Sequence, residues 1–117
     1  MSTLLTQELP MSGTPSQIEW AVQIKPRAGA EFDRVAAALK AVSDRQPEPA
    51  RAETLQLIGI LGEKRAEVMA RTEAGYFIQQ WQELSGRVQG LLIADPRYLA
   101  LRLVQKSRRA APVEGIS

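Results

Sequence analysis

Apolar residues recur along most of the chain at intervals of three and four residues, the spacing of one face of an α-helix. The clearest case lies between Ala30 and Asp44, where the apolar positions follow spacings of three, four and three: Phe32, Val35, Leu39 and Val42. A second helix is predicted from Ala50 to about Ala70. Its apolar positions cover a broad face, which indicates that this helix is buried on two sides.

Two glycines, Gly59 and Gly62, lie inside the second predicted helix. Each costs about 1 kcal/mol of helix stability relative to alanine. Their spacing of three residues places both missing side chains on one helical face. We therefore expect a close-packed neighbouring helix at this face.

A third helical segment carries an apolar seam with heptad spacing. Its members step by four, three, four and three residues: Phe77, Trp81, Leu84, Val88 and Leu91. Thr72 could cap a new helix at its start, whereas a single kinked helix that runs on from the second one is the alternative. The seam is regular enough for helix–helix pairing.

Prolines mark the boundaries between these segments. Pro47 and Pro49 lie one residue apart and predict an extended turn after the first long helix. Asp95 and Pro96 have the residue types of an N-cap and a first helical position. A last helix is therefore predicted from Pro96 to about Arg109, with basic residues near its C-terminus, where they stabilise the helix dipole.

The segment before Pro26 has two interpretations. Ser16 and Glu19 fit the capping-box pattern S-x-x-E, which predicts a helix from Gln17 into Ile24. Alternation of apolar residues over 18–24 is the pattern of a strand. The helix is favoured because of the cap and the helical context, and Pro26 is expected to stop or kink it.

These elements predict an all-α fold, a small bundle of three to four helices. A chain of 117 residues fits one domain, which we place at residues 16–109. Residues 1–15 are rich in Pro, Gly, Ser and Thr and are expected to form a flexible tail. Residues 110–117 are expected to fray.

The composition of the chain excludes most kinds of catalytic and metal-binding site. The chain has no cysteine and no histidine, so it lacks disulfides, thiolates, the usual base near neutral pH and the commonest zinc ligands. Glu63, Glu67 and Glu73 are the densest carboxylates, but the basic residues among them favour a solvated surface over a cation or acid–base site. We predict no enzyme and no cofactor, metal or catalytic residue.

Charge is concentrated at the C-terminal end. Residues 1–95 carry ten basic and twelve acidic side chains, whereas residues 96–117 carry five basic side chains and one acidic one. Four of these cations are candidate contacts to phosphate or to a partner: Arg102, Lys106, Arg108 and Arg109. Two aromatic residues, Trp20 and Tyr76, lie off the apolar stripes and are candidate interface anchors.

We therefore predict a small non-catalytic interaction protein that self-associates or serves as an accessory subunit of a larger assembly. The alternative is a nucleic-acid-binding accessory protein that uses the basic C-terminal helix. No apolar stretch approaches the length needed to span a bilayer, and nothing resembles a signal peptide. We expect a soluble, cytoplasmic protein that binds itself or another protein, with nucleic acid as the less favoured partner and no membrane.

Overall fold

The computed structural model describes residues 11–110, and these residues form five α-helices and no strands. The helices are α1 (Pro15–Ser43), α2 (Ala50–Met69), α3 (Ala74–Gln80), α4 (Arg87–Ala94) and α5 (Pro96–Ala110). The all-α class is confirmed. The number of helices exceeds the predicted three to four because the segment with the heptad seam is divided in two.

Helix α1 begins with a capping box two residues before the predicted one. The Thr14 hydroxyl accepts a hydrogen bond from the Gln17 amide at 3.2 Å, and the Gln17 side chain accepts one from the Thr14 amide at 3.0 Å. These two bonds satisfy backbone donors that the first turn leaves free. Residues 18–24 are helical, so the strand alternative is wrong.

Pro26 lies within α1 and does not stop it. Proline removes one backbone hydrogen bond and crowds the preceding turn, which costs about 3 kcal/mol in a helix interior. Side chains on both sides of Pro26, Ile24 and Ala28, are buried in the core. Their packing offsets the local cost, and the helix runs on for seventeen residues beyond the proline to Ser43.

The core lies along one face of α1. Phe32 is buried at its centre and meets Trp81 with ring centroids 5.6 Å apart. The Trp81 indole nitrogen donates to the Tyr76 hydroxyl at 3.1 Å. The other large buried apolar side chains come from all of the first four helices: Ile24, Val35, Ile60, Leu61, Val68, Phe77, Val88 and Leu92.

The connection between α2 and α3 is a true break and not a kink. The Thr72 carbonyl accepts from the Ser12 amide at 2.7 Å, and the Ser12 carbonyl accepts from the Ala74 amide at 2.8 Å. The N-cap position of α3 is Glu73 and not Thr72. The last residues of the predicted N-terminal tail are therefore paired here, whereas residues 1–10 and 111–117 lie outside the described residues.

The predicted continuous seam from Phe77 to Leu91 is wrong. Helix α3 ends at Gln80, and α4 begins at Arg87. Between them Gly86 has a φ of 75°, which glycine adopts without steric cost. The apolar positions of the seam are still buried or half-buried, but they come from two short helices and the loop between them.

Helix α2 is buried on one side only, which corrects the prediction of two buried sides. A Cβ atom added at Gly59 or Gly62 would meet nothing within 4 Å, so no neighbouring helix of the described chain packs there. The close approach occurs instead at Gly29 in α1, where an added Cβ would lie 3.1 Å from the Arg65 side chain and 3.3 Å from that of Met69.

The molecule is elongated, with principal extents of 71 × 26 × 18 Å and a radius of gyration of 18.8 Å. A compact domain of this length would have a radius of gyration near 13 Å. Much apolar surface consequently remains uncovered. None of the described helices is both long and apolar enough to cross a membrane.

Replacement of Pro26 by alanine should stabilise the fold by about 1–3 kcal/mol, because it restores an α1 hydrogen bond and removes the ring clash. Urea unfolding followed by circular dichroism measures this change. The control is Pro96→Ala at the first turn of α5, where proline fits the helix and the expected change is below about 1 kcal/mol. An unstable Pro26→Ala variant would show that the proline shapes the core.

Candidate functional site

Helix α5 is the least covered part of the structure. Asp95 caps it, since the Asp95 carboxylate accepts from the Arg97 amide at 2.8 Å. This confirms the predicted Asp-Pro start of the last helix. None of the side chains over residues 96–109 is buried. About four turns of helix therefore pack only partly against the rest of the described chain.

Large apolar side chains of α5 point to solvent. Leu99 and Leu103 are each 58% exposed, and Val104 is 52% exposed. Leu99 and Leu103, four residues apart, share the side of α5 that faces away from the half-buried Tyr98 and Leu101, whereas Val104 lies farther round the helix. We call Leu99 and Leu103 the outer face of α5. Single exposed apolar residues are normal, whereas a contiguous set marks an interaction surface.

A buried carboxylate ties the far end of α5 to α2. Glu53 accepts from the Arg108 guanidinium at 2.6 and 2.8 Å and from the Gln105 amide at 3.2 Å. The two parallel bonds from the guanidinium are the strong geometry for an arginine–carboxylate pair. The hydrogen bonds from Arg108, reinforced by Gln105, lower the pKa of the Glu53 carboxyl from 4.5 to about 2.

A second ion-pair cluster fixes the near end of α5. Asp95 is buried and contacts Arg97 and Lys64, each at 3.0 Å, and Arg97 also reaches Glu63 at 2.9 Å. The Arg97 side chain and amide, together with Lys64, hold the pKa of the Asp95 carboxyl well below its usual range. Both ends of α5 are thus attached to α2 by charged groups, while its apolar sides stay half-covered.

Between these two attachments lies a groove of about 530 Å³. Its walls are the inner side of α5 and facing parts of α1, α2 and α4. The apolar lining consists of Val35, Leu39, Leu57, Leu92, Ile93, Tyr98 and Leu101. The polar lining includes Gln89, whose Oε1 is buried and has no hydrogen-bond partner within the described chain. We call this cavity the α5 groove.

The structure separates the four basic candidates of α5. Arg108 is engaged with Glu53 and holds the helix in place. Arg102 contacts Gln105 at 3.2 Å, and both Arg102 and Arg109 line the α5 groove. Lys106 is exposed and does not line the groove. Lys106 and Arg109 form no ion pair with any described residue, so their charges are available to a partner.

The two aromatic candidates also differ. Trp20 is 53% exposed on the N-terminal half of α1 and stays a candidate anchor. Tyr76 is half-buried, accepts the hydrogen bond from Trp81 and stacks under Arg71, whose guanidinium carbon lies 3.9 Å from the ring centroid. These contacts pack Tyr76 against the edge of the core.

The glutamates considered as a cation site do not converge, since two of them are engaged in separate ion pairs. Glu63 pairs with Arg97, and Glu73 pairs with Arg71 at 2.9 Å. Over residues 11–110, no group of three acidic side chains is placed to hold a metal ion. Glu53, by contrast, was missed: its partner Arg108 is 55 residues away, and no local pattern signals that pairing.

Replacement of Glu53 by glutamine should destabilise the protein above pH 4.5 and release the end of α5. Because the pKa of Glu53 is lowered in the folded state, its stabilising effect is complete above pH 4.5 and disappears as the pH falls towards 2. The difference in melting temperature between wild type and Glu53→Gln should shrink across that window. Glu83→Gln, at an exposed residue with no described ion pair, should give no such difference.

A pH-independent difference between wild type and Glu53→Gln would contradict the ion pair as the tie that holds α5.

No protein-family model matches this chain, and neither a curated protein nor a solved structure matches it significantly. What the protein does has therefore to be inferred from its own surfaces.

Proposed function

We propose that this protein is a small non-catalytic helical interaction protein that self-associates, with the outer face of α5 packed on α2 of a second copy. The observation that carries this proposal is the exposure of Leu99 and Leu103 on a helix that contributes no buried side chain over residues 96–109. A helix with apolar residues on both sides is stable when both sides are covered. The described chain covers only one of them, and only in part.

Helix α2 offers a complementary surface. Its solvent side carries small or apolar residues at spacings of three, four, three and four, all of them exposed: Ala52, Leu55, Gly59, Gly62 and Ala66. This is the heptad spacing of a helix–helix seam. The two glycines weaken α2, and no contact within residues 11–110 offsets the loss. A helix from outside the chain supplies that contact.

The two faces fit each other in size and in charge. Leucine side chains of α5 are knobs for the holes that Gly59 and Gly62 leave on α2. Lys106 lies beside the outer face of α5, and Glu67 lies beside the small residues of α2. Neither forms an ion pair with a described residue. Arg71, four residues after Glu67, pairs with Glu73 instead. Two α5 helices facing each other would bring like charges together, since α5 carries cations and no acidic residue.

Light scattering during size exclusion should give a mass near 25.8 kDa, twice the 12.9 kDa of one chain. Gly59→Leu fills the hole on α2, and Leu103→Gln removes an apolar knob from α5, so each variant should shift the mass towards one chain. Ala37→Leu is the matched control, because Ala37 is exposed on α1 away from both faces.

A single-chain mass at every concentration would refute self-association. A dimer that survives both substitutions would place the contact on another surface.

Nucleic-acid binding by α5 is the second candidate function. It is favoured by one observation: Arg102, Lys106 and Arg109 follow spacings of four and three on a helix without acidic residues. Such a row of cations can contact successive phosphates, and its affinity then falls steeply with salt. The small net charge of +2 for the whole chain makes this the weaker candidate.

For this second function, the triple variant Arg102→Gln, Lys106→Gln and Arg109→Gln should weaken binding to labelled duplex DNA or RNA. Each lost phosphate contact should reduce the slope of log affinity against log salt by about 0.9 for B-form DNA. Fluorescence anisotropy over a salt series measures both effects. Absence of binding by the wild type at low salt would rule out the function.

A further inference from the structure

The α5 groove lies outside the two faces of the proposed dimer. The residues that line it on α5 are on the inner side, opposite Leu99 and Leu103. Its volume of about 530 Å³ falls in the range of small-molecule sites, about 300–1,000 Å³. The walls come from four helices of the folded chain.

Ion pairs attach α5 to its neighbours at two points beside the groove. At one end α5 joins α4 through the buried Asp95, which holds the corner with Lys64 and Arg97. At the other end the pair of Arg108 and Glu53 bridges α5 to α2. The stretch of α5 between these attachments, from Arg97 to Arg108, is about 16 Å long. A partner helix about 10 Å wide is too large for a cavity of about 530 Å³, whereas a slender ligand fits.

Charge on the rim selects an anion. Arg102 and Arg109 lie seven residues apart, two helical turns, on the same edge of α5, and both line the groove. None of the residues that line the groove is acidic, and the nearby Glu53 is engaged with Arg108. The floor between these groups is apolar: Leu39, Leu57 and Leu101.

We propose that the α5 groove binds a single-chain apolar carboxylate of the size of a medium-chain fatty acid. The acyl chain lies on the leucine floor between α5 and the α1–α2 pair, and the carboxylate accepts hydrogen bonds from Arg102 or Arg109. An arginine guanidinium matches a carboxylate in geometry as well as in charge. This inference goes beyond the proposed function and does not depend on it.

Isothermal titration calorimetry of the full chain with octanoate and decanoate tests the apolar part of the proposal. Each buried methylene should tighten binding about fourfold, so decanoate should bind about fifteenfold more tightly than octanoate. Decanol, which has the same chain length and no charge, should bind at least about tenfold more weakly than decanoate. Chemical-shift changes should appear at the floor residues of the groove and not on the outer face of α5.

Two matched double variants test the charged part. Arg102→Gln with Arg109→Gln should weaken decanoate at least about tenfold and leave decanol unchanged. Arg27→Gln with Arg45→Gln also removes two positive charges, but from exposed positions outside the groove. This variant should change the affinity for neither ligand. Both pairs are on the surface, so the variants are expected to fold. Measurements in the Leu103→Gln background keep the result separate from self-association.

Three results would overturn the proposal. They are the absence of saturable decanoate binding below its micelle-forming concentration, equal affinity for decanol and decanoate, and equal effects of the two double variants. Shift changes confined to the outer face of α5 would assign the binding to the exposed leucines, and would also overturn it.

Discussion

The contact between Phe32 and Trp81 fixes the end of α3 to the middle of α1. It joins α3 and the loop that follows it to the long first helix. Helix α1 is 29 residues long, about 43 Å, and helices α2, α3 and α4 are attached along it. A core built on one face of one long helix has limited depth. It explains why the molecule extends over 71 Å and why α5, which is attached through α4 and α2, lies outside the core.

Ion pairs, and not the thin core, attach α5 to the rest of the structure. Glu53 and Asp95 are buried carboxylates, and each has an arginine partner that lowers its pKa. A buried charge left without its partner costs far more than the pair itself contributes. The two pairs therefore act mainly on geometry: they fix the height of α5 above α2, and this height sets the width of the groove.

Much of the fold could be predicted from the sequence because the signals were local. Spacings of three and four, the Pro47–Pro49 turn and the Asp95 cap each depend on residues within one or two turns, and the structure confirms them. Two departures from the sequence pattern had different causes. Helix α1 does not stop at Pro26, because it is packed on both sides of the proline, and the seam beginning at Phe77 is broken by a local turn that includes Gly86.

The candidate site shows the same limit. The basic residues of α5 could be found from sequence, but their separation into a structural Arg108 and available neighbours depends on Glu53, 55 residues earlier. The groove combines residues of four helices, so no window of the sequence contains its pattern. Tyr76, a candidate interface anchor in the sequence, is half-buried in the structure, where its hydroxyl accepts from Trp81 across the end of a short helix.

The attachment of α5 by polar groups at its two ends has a consequence for motion. Because α5 contributes no buried side chain over residues 96–109, its detachment exposes little apolar surface and leaves the core of α1 to α4 intact. Such a segment opens as its own cooperative unit, at a free energy far below that of global unfolding. Amide hydrogens of α5 would then exchange with solvent as a group, and well before those of α1.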